Sequence, residues 1–388
     1  MIDVVIPVYK GYEQTRRCIE SVLASAQREP FETVLVDDAS PEPRIRAYLD
    51  EVAAQGRATL LRNEENLGFV RSVNRGMALH ADRDVVLLNS DAEVANDWLD
   101  RLRACAHGAP DVATVTPFSN NATICSYPFE GWAGRVPGTL GLAALDRLFA
   151  RVNAGRAIEL PTAVGFCMDL RSDALSALGA FDAERFGRGY GEENDFCMRA
   201  LKSGRRNLLA ADVFVYHEGS VSFSDEGAAL RQSAGKALVE AHPDYPVRVH
   251  DFLVADPAND LRMAVDRARV EAGTAEAQEV LAERADERAR LMRGLWHIER
   301  LAEERDSTIG QLNRGLDHAR QLLADRDAEI ARRGEEIERL RAGLAHAEKL
   351  AFERLAELQR VHASPIWKVV LAVGRVRRLL RRKAPDAA

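Results

Sequence analysis

Through about residue 255 the chain alternates short apolar, β-branched runs with longer stretches whose apolar residues recur at helical spacing. IDVVIPV (2–8), FETVLVDD (31–38), ATLLRN (58–63) and DVVLLNSD (84–91) read as strands. YEQTRRCIESVLASA (12–26) and stretches near 43–54 and 69–80 read as the helices between them. Strands that alternate with helices need a crossover each time, which predicts a mostly parallel sheet covered on both faces. A second block continues the pattern with PDVATVTPF (110–118), a Gly-rich stretch around 131–141, AVGFCMDLR (163–171), a helix from about 192 to 203 and ADVFVYH (211–217). The expected class is α/β throughout this region. In open sheets of this kind ligands sit beyond the carboxyl ends of the strands. Asp37 and Asp38, Asn89 and Asp91, and His217 each close a strand-like run, so they are expected on one rim.

From about residue 257 the pattern changes. Pro nearly vanishes and 50 of the last 133 residues are charged, in a background of Ala, Glu, Arg and Leu that belongs to a long helix. With Leu295 at heptad position a, Ala302, Ile309, Leu316, Leu323, Ile330, Ile337, Leu344, Ala351 and Leu358 follow, apolar every time. Position d is apolar at Leu291, Ile298, Leu312, Ala319, Leu340, Ala347 and Val361, but Arg305, Arg326, Arg333 and Arg354 interrupt it. The spacing predicts a coiled coil, a homodimer or a pairing with another coiled-coil protein, with a seam weakened by the arginines. A solitary charged helix is the other reading. The expected division is an α/β domain over 1–255, a helical linker over 256–290, a coiled coil over 291–363 and a basic amphipathic tail over 364–388.

In that tail Ser364-Pro365 breaks the preceding helix, and Ile366-Trp367-Lys368-Val369-Val370-Leu371-Ala372-Val373 precedes Arg375, Arg377, Arg378, Arg381, Arg382 and Lys383. The apolar run is too short to span a bilayer but suits an anionic membrane surface, held by the cations behind it. A solvated basic tail or an RNA-binding arm is the alternative.

Charge and cysteine content narrow the class. The first 255 residues carry 27 Lys and Arg against 36 Asp and Glu, and the rest carry 26 against 24, a net of -7 that leaves no global nucleic-acid footprint. The five cysteines (Cys18, Cys105, Cys125, Cys167, Cys197) are odd in number and lack CxxC spacing, so they read as buried thiols of a reducing compartment. Met1 leads straight into a strand without a basic-then-apolar leader, which predicts a cytoplasmic protein. No apolar run reaches the roughly 18 residues a membrane span needs.

Each motif taken alone has an ordinary structural reading. VDDAS (36–40) is also a strand followed by a capped turn, and Asn66-Leu67-Gly68 is also a plain turn. In order along the chain, however, IPVYKGYEQTRRCIESVL, VDDAS, NLGFVRSVNRGM, VLLNSDAEV, VGFCM, GYGEENDFCMR and VFVYHEGSVSF resemble family 2 glycosyltransferases, inverting nucleotide-sugar enzymes of the GT-A fold. The resemblance covers roughly residues 1–255. Within the family, NLGF and LLNSDAEV look most like bacterial rhamnosyltransferase-type enzymes of O-antigen, capsule or exopolysaccharide assembly.

The resemblance implies a UDP-, dTDP- or GDP-sugar donor and a saccharide or lipid-linked acceptor, and a site on the inner face of the cell membrane when combined with the tail. Pro7, Val8, Tyr9, Asp37, Asp38, Asn66, Gly68, Arg71, Asn74, Asn89 and Ser90 match the nucleotide-sugar side. A departing nucleoside diphosphate needs electrophilic help, and the family's DxD-like turn supplies a Mn²⁺ or Mg²⁺ site. Here that turn reads Asn89-Ser90-Asp91, with Asn where an acid is usual, so Asp91 and His217 are the implied metal ligands. Inverting transfer needs one carboxylate to take the acceptor hydroxyl's proton. Glu193 matches that base by position, with Glu192 as the alternative, although the family's usual acid pair ends in Asp. Gly165 and Asp195 match the acceptor side, and Glu192 and Asp195 also suit a helix start, where carboxylates meet exposed N–H groups.

A nucleotidyltransferase or a Rossmann dehydrogenase wants a Gly-rich phosphate loop after its first strand, and this chain has Pro7-Val8-Tyr9-Lys10-Gly11 there. The non-enzyme alternative is an inactive GT-A-fold scaffold that assembles other enzymes through its coil. Retention of Asp38, Asp91, Glu193 and His217 together argues against it.

Overall fold

The computed structural model describes residues 1–219 and 227–381. Its elements are β1 (Ile2–Val8), α1 (Tyr12–Ala24), β2 (Phe31–Asp37), α2 (Pro43–Ala54), β3 (Thr59–Arg62), α3 (Phe69–Met77), β4 (Asp84–Leu88), β5 (Ala92–Glu93), α4 (Trp98–Ala106) and β6 (Val112–Ser119). A 3₁₀ turn (Thr123–Cys125), α5 (Leu142–Val152), β7 (Ala157–Leu160), β8 (Cys167–Leu170), α6 (Ser172–Leu178), α7 (Ala183–Phe186), α8 (Glu192–Lys202) and β9 (Arg206–His217) follow. The rest is helical: α9 (Gly227–Ala241), α10 (Tyr245–Ala255), α11 (Asn259–Ala272), α12 (Thr274–Ala363) and α13 (Pro365–Arg381).

The strands lie in the order β3-β2-β1-β4-β8-β6-β9-β5, with β7 paired to β9. β1, β2, β3 and β4 pair in parallel, as do β6 and β9, while β8 runs antiparallel to both β4 and β6. Two reversals cancel, so β1 to β4, β6 and β9 all point the same way and end on one edge. This is the α/β class expected, a mostly parallel sheet followed by a long helix. Alternation along β1 separates the two faces. Ile2, Val4, Ile6 and Val8 pack into one core cluster and Val5 into the other, which is the period of two required of a strand covered on both sides. Helices close in tightly: a Cβ on Gly76 of α3 would lie 2.5 Å from Cγ1 of Val5.

By its internal contacts the chain forms two units, Met1–Leu291 and Met292–Ala388. The 256–290 stretch, read from the sequence as a helical linker, packs into the first unit: Arg262, Asp266 and Arg269 of α11 and Glu276 and Glu283 of α12 are buried there. In the second unit the heptad a residues Leu295, Ile309, Leu316, Leu323, Ile330, Ile337, Leu344 and Leu358 are exposed. Ser364 marks the next break: its Oγ accepts from the Trp367 backbone N–H at 3.2 Å and so caps α13. Arg382 and Lys383 of the basic tail lie outside the described residues. Among the described residues no helix is long and apolar enough to cross a membrane. All five cysteines are unpaired thiols, four of them buried.

Candidate active site

The shared edge gathers the candidate residues, but not all of them as open groups. The Val8 carbonyl accepts from the Asp38 N–H at 2.9 Å, which ties the end of β1 to the turn after β2. Pro7 is in register with Val36 and Val8 with Asp37, and Tyr9 is half-buried just beyond. Asp37 itself is fully buried, and both its oxygens are taken, Oδ1 by the Ser40 N–H at 2.8 Å and Oδ2 by Arg62 Nε at 2.8 Å. Its carboxylate closes the turn.

Asp38 organises a loop. Its Oδ1 accepts from Asn63 Nδ2 at 2.8 Å and Leu67 N at 2.7 Å, and its Oδ2 from Gly68 N at 2.9 Å. That loop is seamed to the segment before α8: Arg188 donates to Asn66 Oδ1 at 3.0 Å, and Phe69 N donates to the Arg188 carbonyl at 3.3 Å. Gly68, at φ +82°, has no room for a side chain, since a Cβ would lie 3.0 Å from Cα of Arg188. Arg71 is exposed on α3. The Asn74 amide is spent on Phe181, donating to its carbonyl at 2.8 Å and accepting from its N–H at 3.2 Å.

Asn89, Ser90 and Asp91 form the turn between β4 and β5. The Asn89 N–H donates to the Phe166 carbonyl at 2.8 Å and Ser90 is buried. Antiparallel pairing sets Ala92 opposite His217, and Asp91 Oδ2 accepts from the Gly219 N–H at 3.1 Å. His217 is fixed from three sides. Its Nδ1 lies 2.7 Å from the Asn121 carbonyl, its N–H donates to Asn120 Oδ1 at 2.8 Å, and its ring stacks on Phe166 at 5.0 Å between centroids. A carbonyl only accepts, so Nδ1 carries the proton. In the neutral ring Nε2 then turns a lone pair toward Asp91 Oδ1, 3.4 Å away. Two acceptors facing each other want a cation between them, and an imidazole whose other nitrogen is held by a carbonyl is the usual state of a metal-ligating histidine. The pair fits Mn²⁺ or Mg²⁺, and Asn89 lies in the same turn as Asp91.

A second set of ligating groups, Asp3, Glu32 and His80, also comes together. There Arg83 Nη1 donates to Asp3 Oδ1 at 2.9 Å and to Glu32 Oε2 at 2.7 Å, so a guanidinium already bridges the two acids. Asp3 and Glu32 stand near the amino ends of β1 and β2, the edge opposite the rim.

Gly191, left-handed at φ +91°, starts α8 and delivers two acids at once. Glu192 is buried and its Oε2 has no hydrogen-bond partner among the described residues, so burial, with the Glu193 charge beside it, holds its carboxyl well above the usual range. Glu193 is half-buried and pushed upward by desolvation. It faces Gly165, where a Cβ would lie 3.6 Å from Cγ of Glu193. Asp195 is buried and anchors the helix, with Oδ2 on Arg199 Nε at 2.8 Å and Oδ1 on His242 Nε2 at 2.7 Å. Gly165 therefore touches the acid side of the rim and Phe166 the His217 side, one residue apart. Asn120, Asn121 and Arg188 are the residues that sequence reasoning passed over. The signal for two of them was the Ser119-Asn120-Asn121 run just where β6 reaches the same edge.

An uncharacterized protein of Sinorhizobium fredii is 25% identical over 284 residues, which cover 69% of this chain and 29% of that one. The O-antigen biosynthesis protein RfbC of Myxococcus xanthus is 27% identical over 57% of this chain and 17% of its own. The chain thus spans under a third of each of these two relatives. A crystal structure of GalNAc-T7 with UDP, GalNAc and Mn²⁺ is similar at 19% identity and a TM-score of 0.46, covering 71% of this chain and 51% of that one. Residues 3–175, from β1 into α6, match the model of Glycosyl transferase family 2.

Proposed function

We propose that the protein is an inverting glycosyltransferase that moves a sugar from a UDP-, dTDP- or GDP-sugar to a saccharide or lipid-linked acceptor in surface polysaccharide assembly. One observation carries the reading: Gly165 and Phe166 put Glu193 and the Asp91–His217 pair on the same rim, each beside one of two adjacent residues. Asp91 and His217, with Asn89, would hold the divalent cation, whose charge offsets that of the departing diphosphate. Glu193 takes the acceptor hydroxyl's proton as its oxygen attacks the anomeric carbon from the face opposite the diphosphate, in one displacement with inversion. A glutamate whose carboxyl is raised by desolvation is a stronger base than one in water, and a protonated Glu192 adds no second negative charge to oppose its ionisation. The name of the Myxococcus relative supports an O-antigen type of pathway.

The same proposal assigns a task to each of the last two helices. The exposed a-stripe of α12 pairs with a second copy of the chain, and α13 with the basic tail rests on the anionic cytoplasmic face of the membrane, where a lipid-linked acceptor would be met. The test of the core reading is a thermal-shift screen of the full chain with UDP, dTDP and GDP, each with and without Mn²⁺, followed by nucleotide release from the matching sugar donor. Stabilisation by one nucleotide that needs Mn²⁺ is the expected result. No stabilisation by any of the three would remove the reading.

A further inference from the structure

The segment from Asn120 to Thr139 is held at both ends by different things. At its start Asn120 takes both backbone groups of His217, accepting its N–H at 2.8 Å and donating to its carbonyl at 2.9 Å, and Asn121 takes the ring. Asn120 Nδ2 also reaches the Gly134 carbonyl at 2.5 Å, so the middle of the segment folds back over its beginning. At its far end the segment meets a buried charge network that belongs to α11 and the first turns of α12. Arg269 is fully buried and donates to Glu276 Oε2 at 2.7 Å, Glu283 Oε2 at 2.6 Å and the Tyr127 hydroxyl at 2.9 Å. Each glutamate in turn accepts from the segment's backbone, Glu276 from the Thr139 N–H at 2.5 Å and Glu283 from the Gly138 N–H at 3.1 Å. Gly138 is left-handed at φ +75°, and a Cβ there would collide with both the Glu276 carboxylate and the Arg269 guanidinium. Tyr127 donates to Asp266 at 2.7 Å, and buried Arg262 donates to the Ser126 and Ile124 carbonyls at 2.9 and 3.1 Å.

A buried ion pair is a weak stabiliser, because its desolvation offsets most of the attraction, and an apolar set of the same volume would serve a core as well or better. What a satisfied polar network does is admit one arrangement of the backbone groups it binds. Here those groups belong to the segment whose other end fixes the tautomer, the ring plane and the backbone of His217. The geometry points to Arg269, with Glu276 and Glu283, as a positioning device for His217, which makes the first turns of the long helix an extension of the donor site. The inference deepens the proposed function and rests on it for the identity of the ligand at Asp91 and His217.

The experiment uses the full chain and four variants. Arg269→Met removes the charge at similar volume, Thr139→Val removes only the hydroxyl bond to Glu276 (2.6 Å) should Arg269→Met not fold, and Leu49→Ala in α2 lowers stability from a distant region of the core. Amide hydrogen exchange at Asn121 and His217, compared at equal distance below each melting temperature, is the primary readout. Mn²⁺ binding without any donor, followed by the metal's paramagnetic resonance signal, is the second. Exchange should speed up in Arg269→Met or Thr139→Val but not in Leu49→Ala, and Mn²⁺ affinity should fall by about tenfold in Arg269→Met, the scale of losing an outer partner of a metal ligand, with some of it recovered in Arg269→Lys. Unchanged exchange at both amides in the two network variants overturns the inference. A wild-type chain that binds no Mn²⁺ overturns the metal reading instead, and the exchange result then judges the positioning claim by itself.

Discussion

Nε2 of His217 faces Oδ1 of Asp91 at 3.4 Å, while the other ring nitrogen is committed to the Asn121 carbonyl at 2.7 Å. The arrangement leaves one nitrogen and one carboxylate oxygen converging on the same point of the rim. Asp91→Ala should therefore lower turnover by a factor on the order of 10²–10³, the scale of losing one transition-state charge stabiliser. It should also abolish the Mn²⁺ dependence of nucleotide binding. The check is steady-state transfer with and without EDTA, and full activity of Asp91→Ala in EDTA would exclude a metal-assisted mechanism at this pair.

In the proposed reaction Glu193 meets the acceptor hydroxyl, so Glu193→Gln should lose transfer while nucleotide affinity stays near that of the wild type. The pH dependence follows from its environment. Burial raises the Glu193 carboxyl, and a base works only when ionised, so kcat/KM should fall as pH drops through a value above the roughly 4.3 of a free glutamate. A rate profile that stays flat down to pH 4.5, or normal turnover by Glu193→Gln, would place the base elsewhere.

Much of this site was legible because the rim residues follow strands, and strands were readable from period-two burial. The chain ends β2 with Asp37 and β9 with His217 and follows β4 with Asn89, and strands that point the same way collect these on one edge whatever their roles. The roles were less legible. Nothing in VDDAS distinguishes Asp37, closed onto Ser40 and Arg62, from Asp38, which holds the Leu67 and Gly68 amides, because the difference lies in which face of the turn each carboxylate takes. Asp195 sits two residues from Glu193 in sequence but is claimed by His242, 47 positions away, a contact no local pattern encodes. The burial of 256–290 escaped for a related reason: Arg262, Arg269, Glu276 and Glu283 look like the solvated face of a charged helix, and only the 120–139 segment turns them inward.

Asp169 lies in β8 between Val86 of β4 and Val115 of β6, fully buried, with neither carboxyl oxygen partnered among the described residues. Burial, together with the Asp84 charge, pushes its carboxyl well above the usual range, which favours the protonated form in the folded chain. A folded-state value above the unfolded value of about 3.9 gives stability that is complete below that pH and is lost as pH rises toward the folded value, by about 1.4 kcal/mol per unit. Asp169→Asn keeps the shape and does not titrate. Its stability relative to wild type should grow between pH 5 and pH 7, as read by denaturant unfolding at both. A difference that is the same at the two pH values would show that Asp169 is ionised in the fold.

The a-stripe of α12, exposed from Leu295 to Leu358, predicts self-association through the long helix. Light scattering of the full chain should give twice the mass of one chain, and Leu316→Glu with Leu323→Glu, at two consecutive a positions, should return the monomer without loss of the globular fold. The arginines at d keep the pairing modest, so the dimer should dissociate on dilution. A monomer at high concentration in the wild type would leave the stripe to a different protein.

The tail prediction follows from what α13 exposes. Ile366, Val369, Val370, Leu371 and Val373 are exposed, and the sequence then adds Arg375, Arg377, Arg378, Arg381, Arg382 and Lys383 with no acid before Asp386. Each cation near an anionic surface contributes about 1 kcal/mol, and this attraction is screened by salt, whereas burial of the aliphatic residues is not. The full chain should therefore float with vesicles containing anionic lipid at low salt, release at high salt, and ignore neutral vesicles, while a chain ending at residue 363 should not float under any of these conditions. The outcome separates the two contributions as well. Ile366→Ser with Val370→Ser should weaken flotation without changing its salt dependence, whereas replacing Arg375 and Arg378 by Gln should weaken it and flatten that dependence. If the shortened chain floats as well as the full one, the contact with the membrane lies elsewhere, and the acceptor must reach Glu193 by a route that does not involve the tail.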